Sequence, residues 1–315
     1  MQLLNIVKFR YFDPPVFLDV PSVVSQQELY GQADATSRLF PHPLTNVSSA
    51  QPYYNLEALT RYTDRPTVSY TPITGDRFIN MLLRPIPPAT IFTLINSGHD
   101  ATFILTLTVD SINGISNYSL APVRARPEDP RFRQLTAAIH RLQQAGAIAA
   151  RTRQVNNKPS STVFFRRHAN LPVERDIRLV KSLLGLDPRR YEFRLTGEPR
   201  HTPQEIAVVS RSMQEILTEL AAGVDVPDAD MAEGRATPLP NIGDGHSVPL
   251  IHIYSGSARP ASAFAAVFYR DRWFWIDDSD LRSKRDFMFL MIFYALSETR
   301  AVPQAPVVTI SASGR

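Results

Sequence analysis

The sequence predicts an α+β protein whose strands are mainly antiparallel and which carries several amphipathic helices. Short apolar runs that alternate with polar residues, as strands do, are interspersed with stretches of helical apolar spacing. Turn-forming pairs such as Asn113-Gly114 follow strand-like segments, as expected for hairpins. A hairpin followed by a strongly apolar helix, within 264–297, is expected to form the centre of the core.

The first 125 residues are predicted to form an N-terminal α+β region. A short helix or strand over 3–12 is ended by Asp13-Pro14-Pro15, because proline excludes the preceding residue from a helix. The elements expected next are strands over 16–20, 23–30 and 67–71, short helices after Thr74 and over 89–96, and a strand over 103–109.

Residues 31–66 are polar, contain proline and show no clear periodicity, so they are predicted to form a long loop. Aromatic side chains favour interfaces, which makes this loop a possible interaction site. A loop folded over its own domain is the alternative. The aromatic residues concerned are Phe40, Tyr53, Tyr54 and Tyr62.

Residues 126–315 are predicted to form a second, C-terminal α+β region. Asp129 and Pro130 supply an N-cap and a proline at the first helical position. Thr202-Pro-Gln-Glu205 has the capping-box pattern and predicts a helix that ends near Gly223. The other elements expected here are a helix over 132–145, a hairpin over 147–165, a helix over 173–184, strands over 191–195, 250–254 and 307–310, a loop over 224–248, and the hairpin and helix of 264–297.

The hairpin of 264–276 contains both tryptophans of the protein, Trp273 and Trp275. Whichever tryptophan faces inward is expected to pack with Phe264 or Phe268 and against the following helix. The run of ten apolar residues at 287–296 spans about 15 Å as a helix, roughly half the thickness of a bilayer core. It is therefore predicted to be a buried helix and not a membrane span.

The composition is that of an ordinary folded protein, with 43% hydrophobic and 20% charged residues. Cysteine is absent, which excludes disulfides, thiolate metal sites and thiol nucleophiles. Only four of the 34 basic residues are lysine. Arginine suits bidentate pairing with carboxylate or phosphate, and a biased genome composition produces the same skew.

No set of residues matches a catalytic or metal-binding motif. Asp277, Asp278 and Asp280 could hold calcium or magnesium, but capping of the following helix explains them more simply. His99-Asp100 suggests hydrolysis only weakly, because a triad is defined by geometry and not by adjacency. We therefore predict no catalytic, cofactor-binding or metal-ligating residues and no cofactor. A hydrolase with an unrecognised site remains an alternative.

Residues 129–167 favour a different alternative, a cytosolic nucleic-acid-binding protein. A helix, a break at Ala145-Gly146 and an arginine-rich hairpin resemble the last helix and wing of a winged helix. Only one well-formed helix is predicted before the wing, where the motif needs about three. The basic patch that would meet phosphates comprises Arg131, Arg141, Arg151, Arg153, Arg166 and Arg167.

Several phrases together resemble a group of uncharacterised Gram-negative bacterial proteins that are often predicted to be envelope lipoproteins. The phrases are Leu4-Asn-Ile-Val-Lys-Phe-Arg-Tyr11, Pro15-Val-Phe-Leu-Asp-Val20, Tyr70-Thr-Pro-Ile-Thr-Gly75, Ser111-Ile-Asn-Gly114, and Trp273-Phe-Trp-Ile-Asp-Asp278 with Leu281-Arg-Ser-Lys-Arg285. Such proteins carry a leader and a lipid-accepting cysteine upstream. The resemblance implies a periplasmic or outer-membrane-associated location if this chain is a trimmed form, and a cytoplasmic one otherwise. It implies no activity.

These observations lead to one hypothesis about function. We expect a non-enzymatic cell-envelope protein that faces the periplasm and acts in interaction or assembly. A protein partner or self-association is expected, and contact with the membrane only through an upstream lipid anchor. Nucleic acid is the less favoured partner.

Overall fold

The computed structural model describes residues 1–37, 54–122, 124–155, 158–167, 170–199, 202–236, 238–240 and 249–297. It confirms the α+β class, and β7–β8 is the one parallel pairing among the described strands. In chain order the elements are α1 (Gln2–Arg10), β1 (Leu18–Ser37), β2 (Tyr54–Pro72), α2 (Gly75–Leu83), α3 (Pro88–Asn96), α4 (Ala101–Thr108), β3 (Val109–Ile112), β4 (Ile115–Ser116), α5 (Pro130–Gln144), β5 (Ile148–Val155), β6 (Lys158–Phe165), α6 (Leu171–Leu183), β7 (Glu192–Thr196), β8 (Glu205–Ser210), α7 (Met213–Ala221), α8 (Asp228–Ala232), β9 (Tyr254–Gly256), β10 (Ala265–Tyr269), β11 (Arg272–Ile276) and α9 (Leu281–Ser297).

The chain forms two compact units, and their boundaries differ from the expected division at residue 125. One unit is residues 17–73, and the other joins residues 1–16 to those from 74 onward. The irregular stretch before Asp129 is not a boundary, because strands from both sides of it share one sheet. Strand β3 pairs with β8, which lies some hundred residues later in the chain.

The unit of residues 17–73 is a long two-stranded hairpin of β1 and β2. The prediction of a loop over 31–66 is therefore wrong for 31–37 and 54–66, which are strand, while 38–53 lies outside the described residues. Neither strand shows a clear apolar pattern by itself. The register aligns their apolar residues across the pair, as in Leu29 opposite Tyr62 and Ala33 opposite Ala58. Such long-range alignment is invisible to a search for local periodicity.

The other unit contains a six-stranded sheet in the order β4-β3-β8-β7-β6-β5. Helices α3, α4 and α5 pack on this sheet, and α6 packs on α5. The predicted helix after Asp129-Pro130 is confirmed, with Asp129 accepting a hydrogen bond from Arg131 N at 2.9 Å. The hairpin of β5 and β6 and the helix α6 are also found where the sequence predicts them.

Residues 103–108 of the predicted strand over 103–109 form helix α4 together with Ala101 and Thr102, and only Val109 is strand, at the start of β3. Asp100 caps this helix by accepting a hydrogen bond from Phe103 N at 3.0 Å. Most of its side chains are buried, so no polar face reveals the helical period. A short, mostly apolar run does not distinguish a buried helix from a strand by periodicity alone.

The segment that begins at Thr202 also differs from its prediction. Residues 205–210 are strand β8, and helix α7 begins only after Ser212. Ser212 and Glu215 form the actual capping box. Ile206, Ala207 and Val208 are buried between β3 and β7, and this burial stabilises the strand over the helix that the Thr202 pattern favours.

The second sheet has the order β10-β11-β9, and β9 begins at Tyr254, where the predicted strand over 250–254 ends. Phe274 and Ile276 occupy its inner face and are 0% exposed. Tyr11 packs there, its ring centroid 6.2 Å from that of Phe274. Trp273 contacts Phe268, but neither tryptophan fills the inner face as expected.

Helix α9 follows this sheet and packs one side into the core, as predicted. Leu290 is 0% exposed, and the Phe289 ring contacts that of Phe103 on α4 at 4.9 Å between centroids. The opposite side of α9 exposes Met288 and Met291. The helix is thus apolar on both sides but buried on only one.

We expect Leu290→Ala to lower the free energy of unfolding by roughly 2–5 kcal/mol, from the lost burial of the side chain and the cavity left behind. Denaturant melts followed by tryptophan fluorescence measure this loss. Met291→Ala is the matched control, because Met291 is the next residue on the same helix and is 46% exposed. Equal losses for the two variants would contradict the packing described for α9.

Asp286, also on α9, is a buried carboxylate whose Oδ1 accepts a hydrogen bond from Arg285 Nε at 3.3 Å. Its Oδ2 has no hydrogen-bond partner among the described residues. Burial raises the pKa of Asp286 to about 6, against the lowering effect of Arg285 and Arg282. The folded state therefore favours the protonated acid. The loss of folding stability caused by the buried charge develops as pH rises from about 4, the ordinary pKa of Asp, through 6.

We expect Asp286→Asn to raise the free energy of unfolding at pH 7 by roughly 1–3 kcal/mol, because a neutral amide carries no buried charge. The gain should fade below about pH 4, where the wild-type carboxyl is protonated in both the folded and the unfolded protein. Urea melts at several pH values measure the difference. Asp278→Asn is the control, since this exposed carboxylate should contribute little at any pH.

Candidate functional site

The outer face of the β10-β11-β9 sheet is covered by aromatic side chains. Register pairs Trp273 with Phe268 and Trp275 with Tyr254, and alternate residues of a strand share one face. These four rings therefore lie opposite the buried Phe274 and Ile276. Both tryptophans of the protein are among them.

The rings touch one another across the three strands. His252 lies 3.9 Å from Tyr254 between ring centroids, and Tyr254 stacks with Trp275 at 5.8 Å and an interplanar angle of 23°. Trp273 contacts Phe268 at 5.4 Å. We call these five residues, His252, Tyr254, Phe268, Trp273 and Trp275, the aromatic face.

Much of the aromatic face is open to solvent. Phe268 is 54% exposed, and Tyr254, Trp273 and Trp275 are half-buried. The guanidinium of Arg259 lies 5.5 Å from the Trp273 ring centroid, which is cation–π distance. Trp, Tyr and Arg are the residues that dominate binding energy at protein interfaces. Exposed aromatic side chains of this composition on one face of a sheet are typical of a contact surface.

Gly256 makes room for the largest ring. A Cβ atom there would lie 3.2 Å from Cη2 and 3.3 Å from Cζ3 of Trp275, closer than ordinary contact. The indole therefore lies directly against the backbone of β9. This contact fixes the position of Trp275 on the face.

The inner side of the sheet is tied to the segment that begins with α1. Tyr11 O–H donates to Asp230 Oδ2 at 2.7 Å, and burial, together with that bond, raises the pKa of Tyr11. The hydroxyl of Tyr269 donates to Asp13, which also accepts from Arg270 at 2.8 Å. Burial favours a higher pKa for Asp13, but the bonds from Tyr269 and Arg270 outweigh it and lower that pKa. These contacts hold the inner side of the second sheet against the segment that follows α1, and so fix the position of the aromatic face.

Charges of opposite sign flank the two ends of the aromatic face. Arg272 begins β11 at the turn end, where Arg259 lies over Trp273. Asp277 and Asp278 follow the other end of β11, beyond Trp275. Arg259 and Arg272 thus lie at one end, where the turn also carries Asp271, and Asp277 and Asp278 lie at the other.

The acidic residues after β11 serve the start of α9. Asp280 accepts from Ser283 N at 3.0 Å, Asp277 accepts from Ser279 N at 2.8 Å, and Asp278 pairs with Lys284 at 2.7 Å. Within the described ranges no group of three metal-ligating side chains comes together.

His99 and Asp100, the residues that suggested hydrolysis, make structural contacts instead. Asp100 caps α4, and the His99 ring packs edge-on against Phe289 with centroids 4.9 Å apart. Asp100 also lies 3.7 Å from His140 Nδ1, and among the described residues no serine side chain contacts His99 or Asp100.

Two of the four predicted interaction residues of the long loop fall on strand β2. Phe40 and Tyr53 lie outside the described residues, and Tyr54 and Tyr62 lie on β2, where only the backbone is described. The aromatic face was not predicted as a site. The alternation of Trp273 and Trp275 within a strand is the signal that could have indicated it.

The predicted basic patch is spread over several elements, and much of its charge has a partner. Arg131 pairs with Asp129 at 2.6 Å, and Arg141 pairs with Asp176 at 2.7 Å. Arg151 lies over the ring of Phe164 and Arg167 over that of Tyr191, each at 4.7 Å. Arg153 and Arg166 are exposed. The hairpin that carries Arg151 and Arg166 is part of the six-stranded sheet and not a separate wing.

Comparison with known proteins found no matching family model, no similar curated protein and no similar solved structure. In the part of the chain that the structure describes, no helix is both long and apolar enough to cross a membrane.

We expect Gly256→Ala to shift the tryptophan emission spectrum and to reduce the near-ultraviolet circular dichroism, because the new Cβ must displace the Trp275 ring. Gly197→Ala is the control, since a Cβ there meets nothing closer than Pro88 Cγ at 3.8 Å. An unchanged spectrum in Gly256→Ala would show that the indole does not lie against β9.

Proposed function

We propose that the protein is a non-enzymatic interaction or assembly protein of the cell envelope, facing the periplasm, and that it self-associates through the aromatic face. The observation that carries the proposal is the exposed group of aromatic rings on the outer side of the β10-β11-β9 sheet. The envelope location rests on the resemblance of the sequence phrases to envelope proteins.

Burial of the aromatic face by a partner would be strongly favourable. Apolar area removed from water contributes roughly 25 cal/mol per Å², and aromatic pairs add about 0.5–1.5 kcal/mol beyond that. The rings are already held by contacts with one another and with Gly256. Little side-chain freedom is then lost on binding, and this makes each contact more effective.

A second copy of the chain fits the charge distribution around the face. A twofold axis through the face would set the basic end, with Arg259 and Arg272, over the acidic end of the other copy, with Asp277 and Asp278. A twofold interface needs such self-complementarity, because each residue contacts the partner's counterpart of another residue. A second copy would thus cover the apolar rings and set the charged ends of the two faces against each other.

The nucleic-acid alternative has less support. Arg131 and Arg141 have carboxylate partners, which would compete with phosphate for them. The contacts of the described residues add no support for this alternative beyond the winged-helix-like pattern of residues 129–167.

We expect the full chain to dimerise and Phe268→Arg to weaken the dimer by about 2 kcal/mol or more, roughly thirtyfold in the dissociation constant. Phe268 is exposed in the monomer, so the variant should fold. Sedimentation velocity over a wide range of concentration measures the equilibrium. Tryptophan emission should move to the blue as the dimer forms, because both tryptophans lie on the buried surface.

Leu171→Arg is the control, since Leu171 is 76% exposed at the start of α6 and not part of the aromatic face. It should dimerise like the wild type. A chain that stays monomeric at high concentration would contradict the proposal. So would a dimer that Phe268→Arg leaves intact, because another surface would then make the contact.

A further inference from the structure

Strand β5 forms one edge of the six-stranded sheet, and its pairing with β6 fixes the direction of its backbone groups. Arg166 N donates to Ala147 O at 2.8 Å, just beyond the pair of Ile148 with Phe165. In an antiparallel pair, residues that exchange hydrogen bonds alternate with residues that do not. The odd-numbered residues of β5 therefore bond to β6, and the even-numbered residues direct their N–H and C=O groups away from the sheet.

Ala150 shows that these outward backbone groups accept a partner. The side chain of Asn96, at the end of α3, donates to Ala150 O at 2.8 Å and accepts from Ala150 N at 3.2 Å. Asn96 thus takes the place of a neighbouring strand at Ala150. Beyond it, the outward N–H and C=O groups of Thr152 and Gln154 meet no partner among the residues that the structure describes. An open edge of this kind can pair with one more strand.

The side chains along this open part of β5 are polar and exposed. Arg151 and Arg153 lie on one face of the sheet, because alternate residues of a strand share a face. Thr152 lies on the other face, where its hydroxyl is 2.8 Å from that of Ser161. The guanidinium of Arg151 lies 4.7 Å from the ring centroid of Phe164, a contact that leaves its positive charge in place.

The carboxylates on the face of the two arginines lie farther from the edge. Glu205 is on β8 and pairs with Arg194 of β7. Glu192 is on β7, where it lies opposite Phe164 of β6. Within the described ranges no carboxylate forms an ion pair with Arg151 or Arg153. The open edge therefore combines unpaired backbone groups with two guanidinium groups whose charge is not neutralised.

We propose that this edge binds an extended peptide with acidic side chains at alternate positions, as an added antiparallel strand. The peptide backbone pairs with Thr152 and Gln154, and its two carboxylates meet Arg151 and Arg153. In such complexes the main-chain hydrogen bonds supply affinity, and the alternate side chains supply specificity. Neither the aromatic face nor dimerisation is needed for this binding.

Antiparallel addition brings the acidic side chains close to the arginines. Thr152 exchanges hydrogen bonds with the peptide residue opposite it, so Arg151 and Arg153 occupy the non-hydrogen-bonded positions. Facing side chains are closest at these positions, where the Cα atoms of the two strands are about 4.5 Å apart. Arginine suits the contact because its planar fork can donate two parallel hydrogen bonds to one carboxylate.

The test is fluorescence anisotropy of the full chain with the dye-labelled, end-blocked peptide Thr-Glu-Val-Glu-Thr. The matched peptide Thr-Glu-Glu-Val-Thr has the same composition but places its carboxylates on opposite faces of a strand. The alternating peptide should bind about threefold to fivefold more tightly, because only one carboxylate of the matched peptide meets an arginine. Equal binding of the two peptides would overturn the proposal, since net charge alone would then account for it.

N-methylated peptides test the backbone pairing. Methylation of the valine nitrogen removes the N–H that bonds to Thr152 O and should weaken binding at least about tenfold, because the methyl group also blocks the close approach of the strands. Methylation of the second glutamate nitrogen is the control, since this N–H points away from β5 in an antiparallel pair. Binding that tolerates both changes, or that is lost only in the control, would contradict antiparallel addition.

Variants of the protein locate the site. Thr152→Pro removes an outward N–H and no bond to β6, a change that edge strands tolerate, and it should abolish peptide binding. Arg151→Gln and Arg153→Gln should each weaken binding about twofold to fivefold. Arg166→Gln is the charge control, because Arg166 is exposed but follows β6. Phe268→Arg should bind the peptide like the wild type, which separates this site from the dimer.

An absence of peptide binding would overturn the proposal, and the arginines would then serve to keep the edge from pairing. Dye-labelled oligothymidylate provides the last arm. Binding of oligothymidylate without binding of the peptide, weakened by Arg151→Gln and unchanged by Thr152→Pro, would mean that the arginines meet phosphates. That result would also overturn strand addition.

Discussion

One buried ion pair joins several elements of the larger unit. Arg211 and Glu219 are each 2% exposed, and their charged ends lie 3.8 Å apart. Arg211 also donates to the backbone carbonyls of Thr106, Leu107 and Tyr118. Two desolvated charges are costly, and such a pair is tolerated when the geometry is good and the remaining donors and acceptors are satisfied. Here the pair joins the end of α4, the segment after β4 and the start of α7.

The position of α7 in turn bears on the support of the aromatic face. Glu219 of α7 accepts from Ser119 O–H at 2.5 Å and from Leu120 N at 2.9 Å, which brings the 118–120 segment against the helix. Helix α1 packs on α7 and also on β10. The second sheet rests on the segment that follows α1, through the contacts of Tyr11 and Asp13. A loss of the Arg211–Glu219 pair would therefore disturb the support of the aromatic face.

The parts of the fold that the sequence predicted are those that local chemistry determines. Helix α5 has its own cap and proline, and the second sheet has a hairpin with tight alternation. Helix α4 and strand β8 depend on what surrounds them, since Thr106 and Leu107 offer their carbonyls to a guanidinium more than a hundred residues away. The same distinction between local and long-range determinants holds for the candidate site. A shared face for Trp273 and Trp275 follows from alternation, whereas Tyr254 joins it only through the pairing of β9 with β11.

In the turn between β10 and β11, contacts with the segment that follows α1 offset local backbone strain. Arg270 and Asp271 have φ values of 50° and 59°, a pair of left-handed residues that hairpin turns usually fill with asparagine and glycine. Each such residue costs on the order of 1 kcal/mol. The Arg270 guanidinium, however, pairs with Asp13 and lies 4.7 Å from the Tyr11 ring centroid. An asparagine or glycine there would relax the turn but lose those contacts, and with them part of what holds the aromatic face in place.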